Sequence, residues 1–481
     1  MNRRFWDTLN QAAYDMSTSS TFRFHNCCLT IALTPAPLPH NMEPGQGEIR
    51  VLLEVRKSTL KGRVDIPGSK SHTIRAVVLA SLAEGDSLIR RPLDSLDTQA
   101  AIAACRAFGA GIDTSEPGLW KVRGLAGRPR TPDNVVDVAN SGTTLYIVMG
   151  TAALCREGYT ILNGDAQTRR RPADKLIAAL RDLGADVFST RGNGMCPLVV
   201  RGPLRGGKTA IAAITSQWVT SILLCAPCAE GDTELRVTRL NEAPYVRMTL
   251  DWLERLGVRV EYDAAFTRFQ IPGGQGWKGF DLPVAADFSS ATFFLVAGAA
   301  LDAEIELTGL DMRDSQGDKA VVDCLRAMGA RIEVDEAAGA LRLKRGQLRG
   351  AELDLNATPD ALPALAVAGA LASGTTRLVN VPQARVKETD RIAVMAAELA
   401  KMGVRTEELP DGLIIHGGGL RGSAHLHGHA DHRVVMALSL AGMAADAMSR
   451  IDTAEAVAVT FPTYVELMRG LGARMEVRAE D

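Results

Sequence analysis

Residues 326 to 330, Arg326-Ala327-Met328-Gly329-Ala330, close an amphipathic helix and open a strand, and their pattern stands five more times in the chain. It recurs as Arg106-Ala-Phe-Gly109-Ala, Arg181-Asp-Leu-Gly184-Ala, Glu254-Arg-Leu-Gly257-Val, Ala400-Lys-Met-Gly403-Val and Arg469-Gly-Leu-Gly472-Ala, with steps of 69 to 75 residues between successive glycines. A helix C-terminus favours a residue in the left-handed conformation, which glycine adopts without steric cost. Each glycine therefore marks a helix stop just before a strand such as Val258 to Tyr262, and six stops in register mean six units of about seventy residues.

Working outward, a second element keeps the same phase: a short polar cluster followed by an apolar helix rich in small residues. These helices are expected over Ser71 to Ala83, Ser141 to Cys155, Ser216 to Ala229, Ser289 to Leu301, Asp360 to Ala372 and Asp431 to Met443. They are apolar nearly all round, so they must lie inside a domain rather than on its surface. With one amphipathic helix and several strands per unit, the expected class is α/β (α+β), with sheets outside and helices inside.

The 481 residues, 46% of them hydrophobic, can bury more than one core. A net charge of -2 and 5% aromatic residues argue against a dedicated nucleic-acid binder. Eight scattered cysteines, several inside apolar helices, suit reduced thiols in a cytoplasmic protein. Cys225-Ala-Pro-Cys228 has CxxC spacing, but without a second pair or flanking histidines it reads as core. Residues 1–47 differ in composition and read as a poorly ordered N-terminal extension, with Met42 the natural start.

Two motifs are set aside. Gly202-Pro-Leu-Arg-Gly-Gly207-Lys208-Thr209 matches the P-loop pattern, yet related Gly-rich turns stand at Gly124, Gly346 and Gly418 without Lys-Thr, and a strand rather than a helix follows. A hairpin turn is expected there. His425, His427 and His429 alternate as in a strand, with His432 beyond, but no thiol or carboxylate completes a zinc set.

The helix starts carry the chemistry. Pro67-Gly-Ser-Lys70-Ser71 with Arg75 puts two cations at a helix N-terminus, where the macrodipole is already positive, so an anion is expected to fill the site. Asn140-Ser-Gly-Thr143, Thr215-Ser-Gln217, Asp287-Phe-Ser-Ser290, Thr358-Pro-Asp360 and Asp431-His-Arg433 stand at the other starts. Arg169-Arg-Arg171-Pro172 and Lys387-Glu388-Thr-Asp390-Arg391 lie between them and are read either as solvated charge networks or as site residues. If these groups converge, cations hold a small polyanion while Asp360, Glu388 and Asp431 are available for proton transfer.

These motifs, in this order from about residue 50 onward, resemble those of the 5-enolpyruvylshikimate-3-phosphate synthase family, Arg385-Val-Lys-Glu-Thr-Asp-Arg391 and Pro67-Gly-Ser-Lys-Ser71 most specifically. The resemblance implies a two-domain inside-out α/β barrel of six βαβαββ repeats, three per domain, with residues 48–67 plus 287–481 in one domain and 68–286 in the other. It implies transfer of the enolpyruvyl group of phosphoenolpyruvate to the 5-hydroxyl of shikimate 3-phosphate, releasing phosphate. Lys70, Ser71, Arg75, Thr215, Ser216, Gln217, Tyr245, Asp360 and Lys387 would hold shikimate 3-phosphate. Lys70, Gly142, Arg171, Gln217, Arg391, His432 and Arg433 would hold phosphoenolpyruvate. Asp360 would take the hydroxyl proton, and Glu388 with Lys70 would protonate the methylene carbon. No metal or organic cofactor, no nucleic acid and no membrane is implied, and a cytoplasmic monomer is expected.

Three positions depart from the family pattern. Tyr146 stands where an arginine is common, Glu242 where a serine precedes Pro244-Tyr245, and Val459 where some members carry lysine. The loss of cations predicts a raised Michaelis constant for phosphoenolpyruvate, which Tyr146→Arg should lower. Gly142 leaves room for a phosphonate inhibitor. The alternatives are the sister transferase acting on UDP-N-acetylglucosamine, against which Ala166 stands in place of a loop cysteine, and a non-catalytic anion-binding relative.

Overall fold

The computed structural model describes residues 51–421 and 425–479, so the expected extension at 1–47 lies outside them. The apolar helices form where the pattern puts them: Lys70–Leu82, Gly142–Ala153, Ser216–Cys225, Phe288–Ala300, Leu362–Leu371 and His432–Ala444. Side-chain caps start four of them, with Ser141, Thr215, Asp287 and Asp431 each accepting from an amide of the first turn. The fifth is entered through a 3-10 turn, Pro359–Ala361, because two prolines at Pro359 and Pro363 leave few amides to cap. All six stop-glycines have positive φ, from +72° at Gly257 to +105° at Gly472.

Six four-stranded sheets stand among the described residues, and all share one order. In the sheet of Val136–Asp137, Thr160–Asn163, Asp186–Ser189 and Leu198–Arg201, the first strand pairs parallel to the second. The fourth then pairs antiparallel to both the second and the third. Two sheets borrow their first strand. Thr59–Asp65, which leads toward the helix Lys70–Leu82, pairs with Asp302–Thr308, whereas Asp281–Pro283, which leads toward Phe288–Ala300, pairs with Asp86–Arg90. The chain thus crosses twice, and the crossings lie side by side: Ser69 N donates to Ala285 O (2.8 Å) and Asp287 N to Pro67 O (2.9 Å). A third sheet is closed by the first described strand, Val51–Arg56, which takes the fourth place beside Ser449–Ile451 and Arg474–Ala479.

Two hydrophobic cores result. One runs from Ile74 to Val284, and the other combines Leu53 to Ile66 with Ala286 to Met475. Their centres are the apolar helices; Phe288, Phe293 and Phe294 on a single one are fully buried, each contributing about 2 kcal/mol in transfer from water.

Three local expectations are corrected. The turn at Gly202–Gly207 is not a hairpin, because Leu198–Arg201 and Gly207–Ala213 belong to different sheets. The Gly-rich turns are connectors whose amides satisfy carbonyls at helix ends: Gly127 N to Leu82 O, Arg205 N to Leu183 O, Arg349 N to Met328 O and Arg421 N to Met402 O. The strand expected over Val258 to Tyr262 shrinks to Glu261–Tyr262, because Val258 N closes the preceding helix on Leu253 O. The histidine alternation ends at Leu426, after which His429 and Ala430 take left-handed backbone (φ +56° and +51°). His427 Nδ1 then meets Asp452 and His429 Nε2 meets Glu398, in two separate pairs. Cys225 is buried and Cys228 partly so; both thiols are free, and burial pushes both up, that of Cys228 to about 12, as suits core residues.

Candidate active site

Around the seam between the two cores the apolar helices turn their N-termini to one another, and the charged loops fill the space. Arg391 is the hub. It opens the helix Arg391–Lys401 behind the Asp390 cap, is 0% exposed, and holds three carboxylates. Its Nε and NH2 donate to Asp431 (2.8 and 3.1 Å), its NH1 to Asp360 (2.8 Å) and its NH2 to Glu388 (2.5 Å). Asp431 in turn caps its own helix by accepting from Arg433 N (2.9 Å), and Arg433 NH2 lies 2.9 Å from Asp360 Oδ2.

From the facing domain come Lys70, Arg171 and the start of Ser216–Cys225. Lys70 Nζ lies 3.1 Å from Asp97 Oδ2. Arg171 NH2 lies 3.0 Å from Glu388 Oε1 but out of hydrogen-bond alignment; its Nε and NH2 have no acceptor among the described residues. Gly142 faces that guanidinium so closely that a Cβ there would fall 2.0 Å from Arg171 NH1. Gln217 Nε2 donates to Thr143 Oγ1 (2.8 Å). Thr215 and Ser216 present hydroxyls and an amide to Glu242, whose other oxygen accepts from Lys387 Nζ (2.6 Å). Tyr245 OH donates to Asp318, which also accepts from Thr358 Oγ1 (2.9 Å).

The electrostatics follow from burial in a field of cations. Burial alone would raise the carboxyl of Asp360, but Arg433, Lys387, Arg391 and Lys70 outweigh it and hold it far below the usual range. Glu388 is likewise buried, yet Arg391 and Arg171 keep it well below its ordinary value. Asp318 goes the other way: burial and the neighbouring Asp360 raise it to about 6. Burial lowers His432 to about 3, so it is a neutral imidazole at neutral pH. The site is self-neutralised, each cation paired with a protein carboxylate; anions that replace those carboxylates would release Asp360 and Glu388 to titrate nearer neutrality.

Most of the expected residues meet here. Lys70, Ser71, Tyr245, Asp360 and Arg433 line one cavity, and Arg171, Thr215, Gln217 and Lys387 line a second. The Lys387 to Arg391 stretch is therefore not a solvated charge face. Arg75 stands behind the site: it is buried, and its donors are engaged by Thr249, Thr220, Ser71 O and Tyr245 O, so it supports Tyr245. Of the departures, Tyr146 is buried, donating to Pro172 O (2.8 Å) and meeting Trp218 edge-on; Glu242 points inward; Val459 ends a 3-10 turn beside Thr460, which lines the first cavity. Asp97 and Asp318 were missed by sequence reasoning. Asp97 is a first-turn acid after Ser95 and Asp318 follows a glycine, ordinary settings in which nothing announces a buried partner.

Two domains of three repeats with the charged cleft at their seam are also the fold of solved enolpyruvyl transferases. The EPSP synthase from Acinetobacter baumannii matches with a TM-score of 0.75 and 28% identity, over 89% of this chain and 100% of that one. The enolpyruvyl transferase NikO from Streptomyces tendae matches with a TM-score of 0.72 over 90% and 100%, at 21% identity, a likeness of fold. Sequence narrows the class: the family model "EPSP synthase (3-phosphoshikimate 1-carboxyvinyltransferase)" matches residues 55–468, and the chain belongs to that family. It is 51% identical over 423 residues to the 3-phosphoshikimate 1-carboxyvinyltransferase of Acetivibrio thermocellus, covering 88% of this chain and 99% of that protein. It is 48% identical over 427 residues to that of Ruminiclostridium cellulolyticum, covering 89% and 100%.

Proposed function

We propose that this chain transfers the carboxyvinyl group of phosphoenolpyruvate to the 5-hydroxyl of shikimate 3-phosphate, releasing phosphate, a step toward aromatic amino acids in the cytoplasm. The observation that carries the reading is that Arg391 holds Asp360 and Glu388 at once, so two carboxylates with separate tasks stand on one guanidinium, and Asp360 lines the first cavity. Asp360 accepts the proton of the 5-hydroxyl as its oxygen bonds to C2 of phosphoenolpyruvate. Glu388, protonated once an anion has taken Arg171 and Arg391 from it, delivers a proton to the methylene carbon with Lys70 beside it. The tetrahedral ketal then loses phosphate by cleavage of the C2–O bond, and the methyl carbon returns a proton to give the enol ether.

In this reading phosphoenolpyruvate is held by Lys70, Gly142, Arg171, Gln217, Arg391, His432 and Arg433. Shikimate 3-phosphate is held by Lys70, Ser71, Thr215, Ser216, Gln217, Tyr245, Asp360 and Lys387, with Arg75 supporting Tyr245. The domains divide at residues 67/68 and 286/287, part to admit the substrates and close on them, with the cations meeting across the seam in the closed arrangement. All these residues belong to one chain, which fits a monomer. The test is phosphate release from phosphoenolpyruvate with shikimate 3-phosphate and, separately, with UDP-N-acetylglucosamine. Turnover is expected with the first pair only; none with it would sink the reading.

A further inference from the structure

Glu242 is an acid of the site to which the proposed chemistry gives no task, and it occupies donors that the same reading gives to the acceptor. It precedes the helix Ala243–Arg255 with left-handed backbone (φ +59°, ψ +40°), a conformation that residues other than glycine rarely adopt and that persists only where the surroundings demand it. What surrounds it is a complete oxyanion cradle. Oε2 accepts from Thr215 Oγ1 (3.1 Å), Ser216 N (3.1 Å) and Ser216 Oγ (2.9 Å), and Oε1 from Lys387 Nζ (2.6 Å). The residue is 2% exposed, so these contacts are made out of water.

One helix-start amide, two hydroxyls and an ammonium are a donor set that suits a phosphate as well as a carboxylate. The reading above gives the same donors to the acceptor. A phosphate dianion and an ionised carboxylate cannot share four donors at hydrogen-bond distance in a buried site, because like charges so close repel strongly there. We propose that Glu242 is a resident occupant of the acceptor's phosphate cradle, displaced when the phosphorylated acceptor binds, and that it is a specificity-determining residue for that acceptor. The cradle stays neutral and paired while empty of substrate, and the acceptor pays in affinity for entering it.

The proposal rests on the acceptor assignment above, and the test separates the two. Wild type, Glu242→Ser and Glu242→Gln are titrated with inorganic phosphate by calorimetry and by thermal unfolding, a comparison that needs no turnover. Glu242→Ser is expected to bind phosphate at least about tenfold more tightly than wild type. Its melting temperature should fall without phosphate, since Lys387 loses its buried partner, and recover with it. Glu242→Gln, which keeps volume but not charge, should lie between and carries the comparison should the serine variant fail to fold. In steady state the Michaelis constant for shikimate 3-phosphate should fall about tenfold in Glu242→Ser relative to that for phosphoenolpyruvate. Equal phosphate affinity in all three proteins would overturn the proposal, as would wild type turning over unphosphorylated shikimate more efficiently than its 3-phosphate. Absence of any turnover by wild type would instead strike the acceptor assignment, leaving the phosphate titrations to judge Glu242.

Discussion

Arg171 NH2 stands 3.0 Å from Glu388 Oε1, and the two residues come from opposite domains. A group read as a proton donor is thus paired with a group read as an anion binder. Glu388→Gln removes the acid and frees the guanidinium together. The expected outcome is a fall in kcat of about 10² to 10⁴, with the Michaelis constant for phosphoenolpyruvate unchanged or lower. A kcat within about threefold of wild type would exclude Glu388 from proton transfer.

Asp431 lines neither of the two cavities described above, yet it accepts two hydrogen bonds from Arg391 and caps its own helix on Arg433 N. Asp431→Ala leaves a buried guanidinium short of a partner, and such losses cost about 3–5 kcal/mol. A drop in melting temperature of several degrees is expected, with weaker phosphoenolpyruvate binding in what folds. A melting curve superimposable on that of wild type would show that Asp360 and Glu388 suffice to hold Arg391.

The pH dependence of stability has two parts of opposite sign. Asp360, Glu388 and Asp431 are lowered on folding, so their stabilisation is complete above the unfolded carboxylate range near pH ~4 and drains away as pH falls below it. Asp318 is raised to about 6, so it binds its proton more tightly folded than unfolded and subtracts stability as pH rises from ~4 to about 6. Asp318→Asn keeps acceptors for Tyr245 and Thr358 but cannot ionise. Its melting temperature relative to wild type should climb across that interval and level off above it; a constant difference would mean that Asp318 does not titrate there.

Gly142 is a position where only hydrogen fits. An alanine Cβ would fall 2.0 Å from Arg171 NH1 and 2.8 Å from its Cζ, so the guanidinium must move. Gly142→Ala should raise the Michaelis constant for phosphoenolpyruvate about tenfold or more while leaving that for shikimate 3-phosphate within a few-fold, because 1 Å misplacement in such a site is expensive. Equal rises for both substrates would point to general disruption instead.

The six helix stops and the buried helices could be read from the sequence because left-handed glycines and all-round apolarity are local signals. Which strand pairs with which is not local. Thr59–Asp65 and Asp281–Pro283 look like strands that lead into their own helices, and only packing reveals that each serves the other domain. The Gly-rich turns misled for the same reason, since a connector between sheets and a hairpin within one share their residues. In the site, the motif residues were legible as a set, while the direction of Glu242 was not: it depends on a backbone torsion that glutamate rarely adopts.

The double crossing also bears on the order in which the chain can be completed as it is made. The core that runs from Ile74 to Val284 comes from one continuous stretch of chain, so all the sheets around it are available once their last strand, Asp281–Pro283, has emerged from the ribosome. The other does not. Thr59–Asp65 waits for Asp302–Thr308, and Val51–Arg56 waits for Ser449–Ile451 and Arg474–Ala479, a pairing that spans nearly the whole described chain. Contacts of such sequence separation form slowly and leave strand edges open meanwhile. Synthesis therefore yields one finished core while Val51–Arg56 and Thr59–Asp65 are still unpaired, and nascent-chain chaperones would meet these two strands until residues 302–308 and 449–479 have been translated.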